Sequence, residues 1–294
     1  MSKYKFNRKV TKKDIIILLL FVIAIIVFFV IKHILFVIEN KKYDYVGKDV
    51  YLTLEARAAT NEKAAYIFNN MESYPKELLI MYYNDEKYLN FVYDYPEKGM
   101  ANNEIVYSLK ELSADVPMLL QYDERWGYKS MGREQGEMIA QGGCLVTSLT
   151  MSYIGLTGKT DVNPKELADL FDDNNLLGIS GTLAKAVPWF CKQYGLGCTE
   201  YVYKENQVPE KEVMTNALSS GHILISAVKD GDFVAGNCHA IVIRKYQNGY
   251  FYVNDPASIA NSGKSWSYDV IAPQIIQLWD IYYDNTSENL YLNN

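Results

Sequence analysis

GHILISAVKDGDFVAGNCHAIVIRKYQNGYFYVNDPA, residues 221–257, decides the fold. Within it GHILISAV, CHAIVIRKY and GYFYVNDPA carry apolar and β-branched residues at period two, and Gln247-Asn248-Gly249 is a turn, so the stretch reads as antiparallel strands. LWDIYYD at 278–284 adds a late strand. Before Gly195 the period is helical. Residues 142–158 open on a Gly-Gly turn, put Leu145, Val146, Leu149 and Tyr153 on one helical face, and stop at Gly155 and Gly158. Residues 163–194 continue helically, with Pro164 and Pro188 near helix starts. Helices first and a sheet afterwards predict an α+β fold, N-terminal helices packed on an antiparallel β-sheet, rather than a doubly wound one.

Working towards the N-terminus, IIILLLFVIAIIVFFVIKHILFVI spans Ile15 to Ile38 and is apolar except for Lys32 and His33. That is long enough to cross a bilayer core of about 30 Å. A segment apolar on every face finds no room inside a domain of this size, and no small-x-small cleavage site follows it, so a membrane anchor is preferred over a core helix or a cleaved leader. Lys3, Lys5, Arg8, Lys9, Lys12 and Lys13 precede the segment and Lys41, Lys42 and Lys48 follow more sparsely, which keeps the N-terminus in the cytoplasm and the remainder outside, at the cell membrane. The expected organisation is a cytoplasmic tail at 1–13, a transmembrane anchor at 14–38, a stalk at 39–72, a helical preface at 73–115 and the main domain at 116–294. Alternation at Tyr43-Tyr45 and Val50-Leu52-Leu54 hints at a short strand within the stalk.

Charge divides the same way. Residues 1–38 hold seven Lys/Arg and one acid, leaving 22 Lys/Arg and 34 Asp/Glu beyond, or about +6 against −12. An acidic exported domain has no basic stripe for phosphates, so nucleic acid is excluded as a partner. No Gly-rich phosphate loop and no His-Glu-x-x-His spacing occurs, so neither nucleotide nor metal nor any other cofactor is predicted. The cysteines, at 144, 191, 198 and 238, are too few for a disulfide scaffold. Cys191 with Cys198 is the one plausible pair, and free thiols are preferred there.

The chemistry gathers on Cys144. It follows Gly142-Gly143 at the first turn of a predicted helix, where backbone N–H groups and the helix dipole favour a thiolate. The two glycines let other backbone approach closely, as a substrate carbonyl requires. A thiol nucleophile needs a base. Of three histidines, His33 lies in the anchor; His222 and His239 both begin apolar strands, but only His239 leads into a hairpin whose return strand ends in an acid, Asp255. Strand parity constrains that pair. A two-residue Asn248-Gly249 turn pairs Gln247 with Tyr250 and separates His239 from Asp255 onto opposite faces, whereas a three-residue loop pairs Tyr246 with Tyr250 and Ile241 with Asp255 and unites them. The odd register, or an equivalent bulge, is therefore expected. For an oxyanion donor the candidates are Gln121 and Gln141. Gln121 ends an apolar run and is preferred; Gln141 is expected to point outward. Asp123 and Trp126 are expected to fix the loop between Gln121 and Cys144, or to line the cleft. Cys238 is expected to face away from His239 and pack.

These residues carry a resemblance. VPMLLQ with DERWG, then GGCLVTSLTM, a Gly-x-Ile-Leu-Ile strand, His-Ala-Ile-Val-Ile and VNDP, in that order, look like the peptidase family C-39-like domain, over roughly residues 73–283. That family is a papain-like set of bacterial proteins related to the double-glycine leader peptidases. The resemblance implies a papain-like fold, with Cys144 as nucleophile, His239 as base, Asp255 as its orienter and Gln121 as the oxyanion glutamine. It departs from the family where Leu145-Val146 precede Thr147-Ser148 in place of Gly-Pro, and at Ala240, where an aromatic is common. The function expected is hydrolysis of a peptide or isopeptide bond through a thioester. Cell-wall peptide amidase or acyl-transfer chemistry on the same triad, and a silent binding module, are the alternatives.

Overall fold

The computed structural model describes residues 11–101, 104–132, 137–178 and 181–283. The chain falls into two compact units, the first ending at Leu89 and the second starting at Asn90.

In the first unit, α1 (Lys12–Lys41) begins at a capping box in which Thr11 and Asp14 satisfy each other's backbone N–H. Its 30 residues make a rod about 45 Å long. None of them is buried, and the mean hydropathy of its apolar window reaches 3.5, so this single helix is long and apolar enough to cross a membrane. Next come α2 (Lys48–Ala58), α3 (Glu62–Asn69) and α4 (Lys76–Asn84). Leu54, Ile67, Leu78 and Leu79 are buried among them. Arg57 of α2 closes the C-terminal end of α4: its guanidinium donates to the carbonyls of Tyr82 and Tyr83 and lies 4.8 Å from the Tyr82 ring. The strand hinted at within residues 43–54 is thus corrected to a turn at 43–46 and a helix from Lys48. Val46, Val50 and Leu54 also recur at i, i+4, and the burial of Val46 and Leu54 with Leu52 left exposed shows that the helical period is the one the backbone follows.

From the boundary onward, short helices α5 (Leu89–Tyr93), α6 (Tyr95–Lys98), α7 (Leu109–Leu112) and α8 (Ile139–Gly142) lead to α9 (Cys144–Thr157), then α10 (Pro164–Asp173). A two-strand ladder, β1 (Leu177–Gly178) with β2 (Gly181–Thr182), precedes α11 (Ala186–Gln193) and β3 (Leu196–Val202). After α12 (Lys211–Ser219) follow β4 (Ile223–Lys229), β5 (Cys238–Gln247), β6 (Tyr250–Asn254), β7 (Ser265–Trp266) and β8 (Ile275–Tyr283), with short helices α13 (Ile259–Ser262) and α14 (Tyr268–Ile271) between the last three strands. The six-stranded sheet runs β3-β8-β4-β5-β6-β7, antiparallel throughout. The fold is α+β, with the helices expected before the strands.

Both faces of the sheet are covered. Ile225, Ala240, Val242, Trp279 and Ile281 pack against α9, Phe171 of α10 and Phe190 of α11; Leu224, Ile241, Ile243, Val253 and Leu278 pack against Met214 of α12 and Trp266. Central strand β4 therefore has six buried residues in a row. Helix α9 is buried from Leu145 to Ile154 on every side, where the sequence predicts one buried face. Two of its buried hydroxyls, those of Thr150 and Ser152, donate to the carbonyls four residues back, at 2.9 Å each. Gly158, at φ 68°, ends it in the left-handed conformation that glycine adopts without strain.

The hairpin differs from its first expected form. Asn248 and Gly249 both have positive φ, 53° and 86°, and make a two-residue turn that pairs Gln247 with Tyr250. The parity change comes instead from a bulge. Lys245 pairs with Tyr252 and Ile243 with Val253, so Arg244 has no partner of its own and the strand beyond it is shifted by one residue. Arg244 donates to Asn254 Oδ1 at 3.0 Å, and Asn254 Nδ2 donates to the carbonyls of Val116 and Pro117, which pins the shifted end.

Candidate active site

Three pieces of backbone converge where α9 meets β5. The first is the α8–Gly143–α9 corner. A Cβ on Gly143 would meet the backbone carbonyl of Ile139, so glycine at 143 lets the chain turn tightly enough to start α9 at Cys144, while a Cβ on Gly142 would meet only the movable carboxylate of Glu137. The second is the start of β5, held against α9 by Ser148 Oγ donating to the Ala240 carbonyl at 3.3 Å. The third is the end of β6, where the bulge brings Asp255 onto the face of His239.

His239 Nε2 donates to Asp255 Oδ1 at 2.7 Å. With Nε2 taken by the carboxylate, Nδ1 is the ring nitrogen left for the Cys144 thiol, with which His239 hydrogen-bonds. Burial works against ionisation of the thiol. The His239 ring and the N–H groups of Ala240 and Leu145 outweigh it and hold Cys144 below the ordinary thiol range. Burial likewise opposes charge on His239, but the bonds to Asp255 and Cys144 raise it to about 10. The arrangement therefore favours a thiolate–imidazolium pair at neutral pH.

Asp255 is wholly buried. Besides His239 it receives Ala257 N–H on Oδ1 and Asn261 Nδ2 on Oδ2, both at 2.9 Å, and its own N–H donates to Ser262 Oγ at 2.8 Å. Asn261 escapes the sequence reading. Its one local sign is the position three residues after Ser258, whose hydroxyl caps α13 by accepting Asn261 N–H.

Gln121 is buried between the two halves of the site. Its backbone N–H donates to Pro256 O at 2.9 Å, and its Nε2 to the carbonyls of Ala140 at 2.8 Å and Gln141 at 3.3 Å, just before the Gly-Gly turn. Its Oε1 is buried and has no partner among the described residues. The Gln141 side chain folds back onto Met138 N–H instead. Asp123 and Trp126 shape the intervening loop: Asp123 accepts Arg125 N–H and forms an ion pair with its guanidinium, which lies 4.4 Å from the Trp126 ring, and Trp126 Nε1 donates to Leu120 O. His222, the other histidine candidate, is engaged elsewhere, with Nδ1 2.8 Å from Asp280 Oδ1 and its ring stacked on Tyr282.

A cavity of about 150 Å³ opens beside the thiol, lined by Cys144, His239, Thr182, Ala184, Cys238 and Trp279. Cys238 corrects an expectation. It takes the opposite side of β5 from His239, but it is exposed at the cavity and not packed. Cys191 and Cys198 are both free thiols, joined by a hydrogen bond.

An α+β domain with a thiol, an imidazole and a buried carboxylate in line defines a class, that of proteins arranged for thiol nucleophilic chemistry. A profile of the Peptidase C39-like family matches residues 113–287, and the chain belongs to that family. Membership points to a cysteine peptidase. Among solved structures, one described as a presumptive C39-like peptidase from Bacillus anthracis is similar, at 14% identity and a TM-score of 0.36, covering 48% of this chain and 89% of its own. No curated protein matches the sequence.

Proposed function

We propose that the protein is a membrane-anchored, extracytoplasmic cysteine peptidase that hydrolyses a peptide or isopeptide bond. The observation that carries the reading is the line Cys144–His239–Asp255, with its 2.7 Å imidazole–carboxylate bond. The Cys144 thiolate attacks the carbonyl carbon. Gln121 keeps its 2.8 Å bond to Ala140 O and turns the N–H of its longer, 3.3 Å bond to Gln141 O onto the developing oxyanion, and Gly142 and Gly143 admit the substrate backbone. As the tetrahedral adduct collapses, the imidazolium passes its proton to the leaving amine and a thioester forms. Neutral His239 then takes a proton from water, whose oxygen attacks the thioester and frees the acid. Asp255 keeps the ring oriented and stabilises its charge throughout.

In this reading residues 14–38 span the membrane, 1–13 stay in the cytoplasm, 39–72 form a stalk, 73–115 a preface and 116–294 the peptidase domain. An acidic domain outside the cell fits peptides of the cell wall or secreted peptides as substrates. The test uses the full chain in detergent micelles or reconstituted bilayers, wild type beside Cys144→Ala, incubated with cell-wall peptide fragments and with secreted peptides. Wild type alone should release a fragment; the same fragments from both proteins, or none from either, would overturn the reading. An amine-bearing acceptor added to the same assay separates acyl transfer, which yields a new amide, from hydrolysis.

A further inference from the structure

The mechanism leaves Cys238 without a part, yet the fold brings it to the nucleophile. Both thiols line the one cavity beside α9. Residues 238 and 240 lie two apart on β5, hence on one face and about 7 Å apart along the strand. That face is the one α9 covers, and the Ala240 N–H donates to the Cys144 sulfur. Cys238 is also the first residue of its strand and is exposed, so its side chain is reachable from solvent and from the cavity. The other two cysteines sit on α11 and β3 and bond to each other.

We propose that Cys238 is the resolving thiol of the Cys144 site: a low-molecular-weight disulfide oxidises the pair to an intramolecular Cys144–Cys238 disulfide that stores the nucleophile in a reversible, blocked form. The proposal rests on the reading of Cys144 as the reactive thiol and adds a second reactant to it. In the first step the Cys144 thiolate attacks the disulfide RSSR, giving a Cys144–SR mixed disulfide and one thiolate RS⁻. In the second, Cys238 loses its proton to solvent and attacks the Cys144 sulfur, releasing the second RS⁻. Two thiols give up two electrons and two protons, and RSSR takes them to become two RSH. The order of steps follows from charge. Burial and the Cys144 thiolate hold the Cys238 thiol up, while Lys229, its partner across β4–β5, pulls it down. Capping Cys144 removes the thiolate charge and leaves Lys229, so Cys238 ionises more readily once the mixed disulfide exists.

The test is peptide mapping of the full-length protein in detergent. The reduced protein, freed of reductant, is exposed to oxidised glutathione, quenched with acid and N-ethylmaleimide, and digested. Wild type should yield a cross-linked peptide containing Cys144 and Cys238, together with loss of Cys144 alkylation by iodoacetamide, both reversed by dithiothreitol. In Cys238→Ser, Cys144 should stop at the glutathione adduct. A wild-type protein that accumulates this adduct while Cys238 remains alkylatable overturns the proposal and leaves Cys144 a reactive thiol. If glutathione modifies Cys144 in neither protein, both the proposal and the reading beneath it fail. The readout is covalent, so it needs no substrate and separates the two failures.

Discussion

At the scale of single residues, the site is an electrostatic balance. Cys144 lies below and His239 above its ordinary value because each stabilises the other's charge, against burial that opposes both. Asp255 supports the imidazolium, so Asp255→Asn should let His239 fall from about 10 towards its ordinary 6.5. With less imidazolium beside it, Cys144 should then rise towards 9. The acid limb of Cys144 alkylation by iodoacetamide should move to higher pH in the variant; an unmoved limb would mean that Asp255 does not act through the ring. Asn261→Ala should leave Oδ2 of the buried carboxylate without its donor, at a cost of about 1–3 kcal/mol, read as a lower urea midpoint with unchanged slope. Residue types and order made Cys144, His239 and Asp255 legible in the sequence. Asn261 was not, because an asparagine's worth here depends on which oxygen it reaches, and that is a contact, not a pattern.

At the scale of elements, the bulge in β5 is the part on which the site depends. Asn-Gly favours a two-residue turn whose twist matches the strands, and this turn alone would put His239 and Asp255 on opposite faces. The unpaired Arg244 restores the match. Deleting Arg244 should straighten the ladder, break the imidazole–carboxylate bond and bring Cys144 alkylation at neutral pH down to the rate of an ordinary thiol. Retention of fast alkylation in a folded deletion variant would show that parity does not govern the pair. The strands β4, β5 and β6 were readable because each is a run of apolar, β-branched and aromatic residues bounded by turn residues, although β4 and β5 bury consecutive residues on both faces. The edge strand β3 was missed, since LGCTEYV has only one buried residue and its pairing to β8 is a long-range choice. Helix α12 went unread as well, its short amphipathic run overshadowed by the strands beyond it.

At the scale of the whole chain, α1 and the second unit differ in what they bury. α1 buries none of its residues and is long and apolar enough to cross a membrane, which is compatible with a single-pass anchor. The protein should resist extraction from membranes by alkaline carbonate. With the lysine-rich end inside, protease added to intact cells should digest the residues beyond 41 and spare a tag placed before residue 11. Digestion of the tag in sealed cells would reverse the orientation. The second unit carries its own core on both faces of one sheet, so its stability comes from burial rather than from staples; the cysteines it holds are free.

The sequence by itself determined the apolar span, the order of helices before strands, and the set of a helix-opening cysteine, a strand-opening histidine and a strand-closing aspartate. Each of these follows from local period or local composition, and such signals are written in consecutive residues. Tertiary structure alone decided that a bulge and not a longer turn aligns His239 with Asp255, that Asn261 holds the carboxylate, that Gln121 bridges Pro256 and Ala140, and that Cys238 looks into the cleft instead of packing. Those features depend on which distant segments share a face and a register. That is settled by packing two cores at once across the sheet, and no single stretch of the chain encodes it.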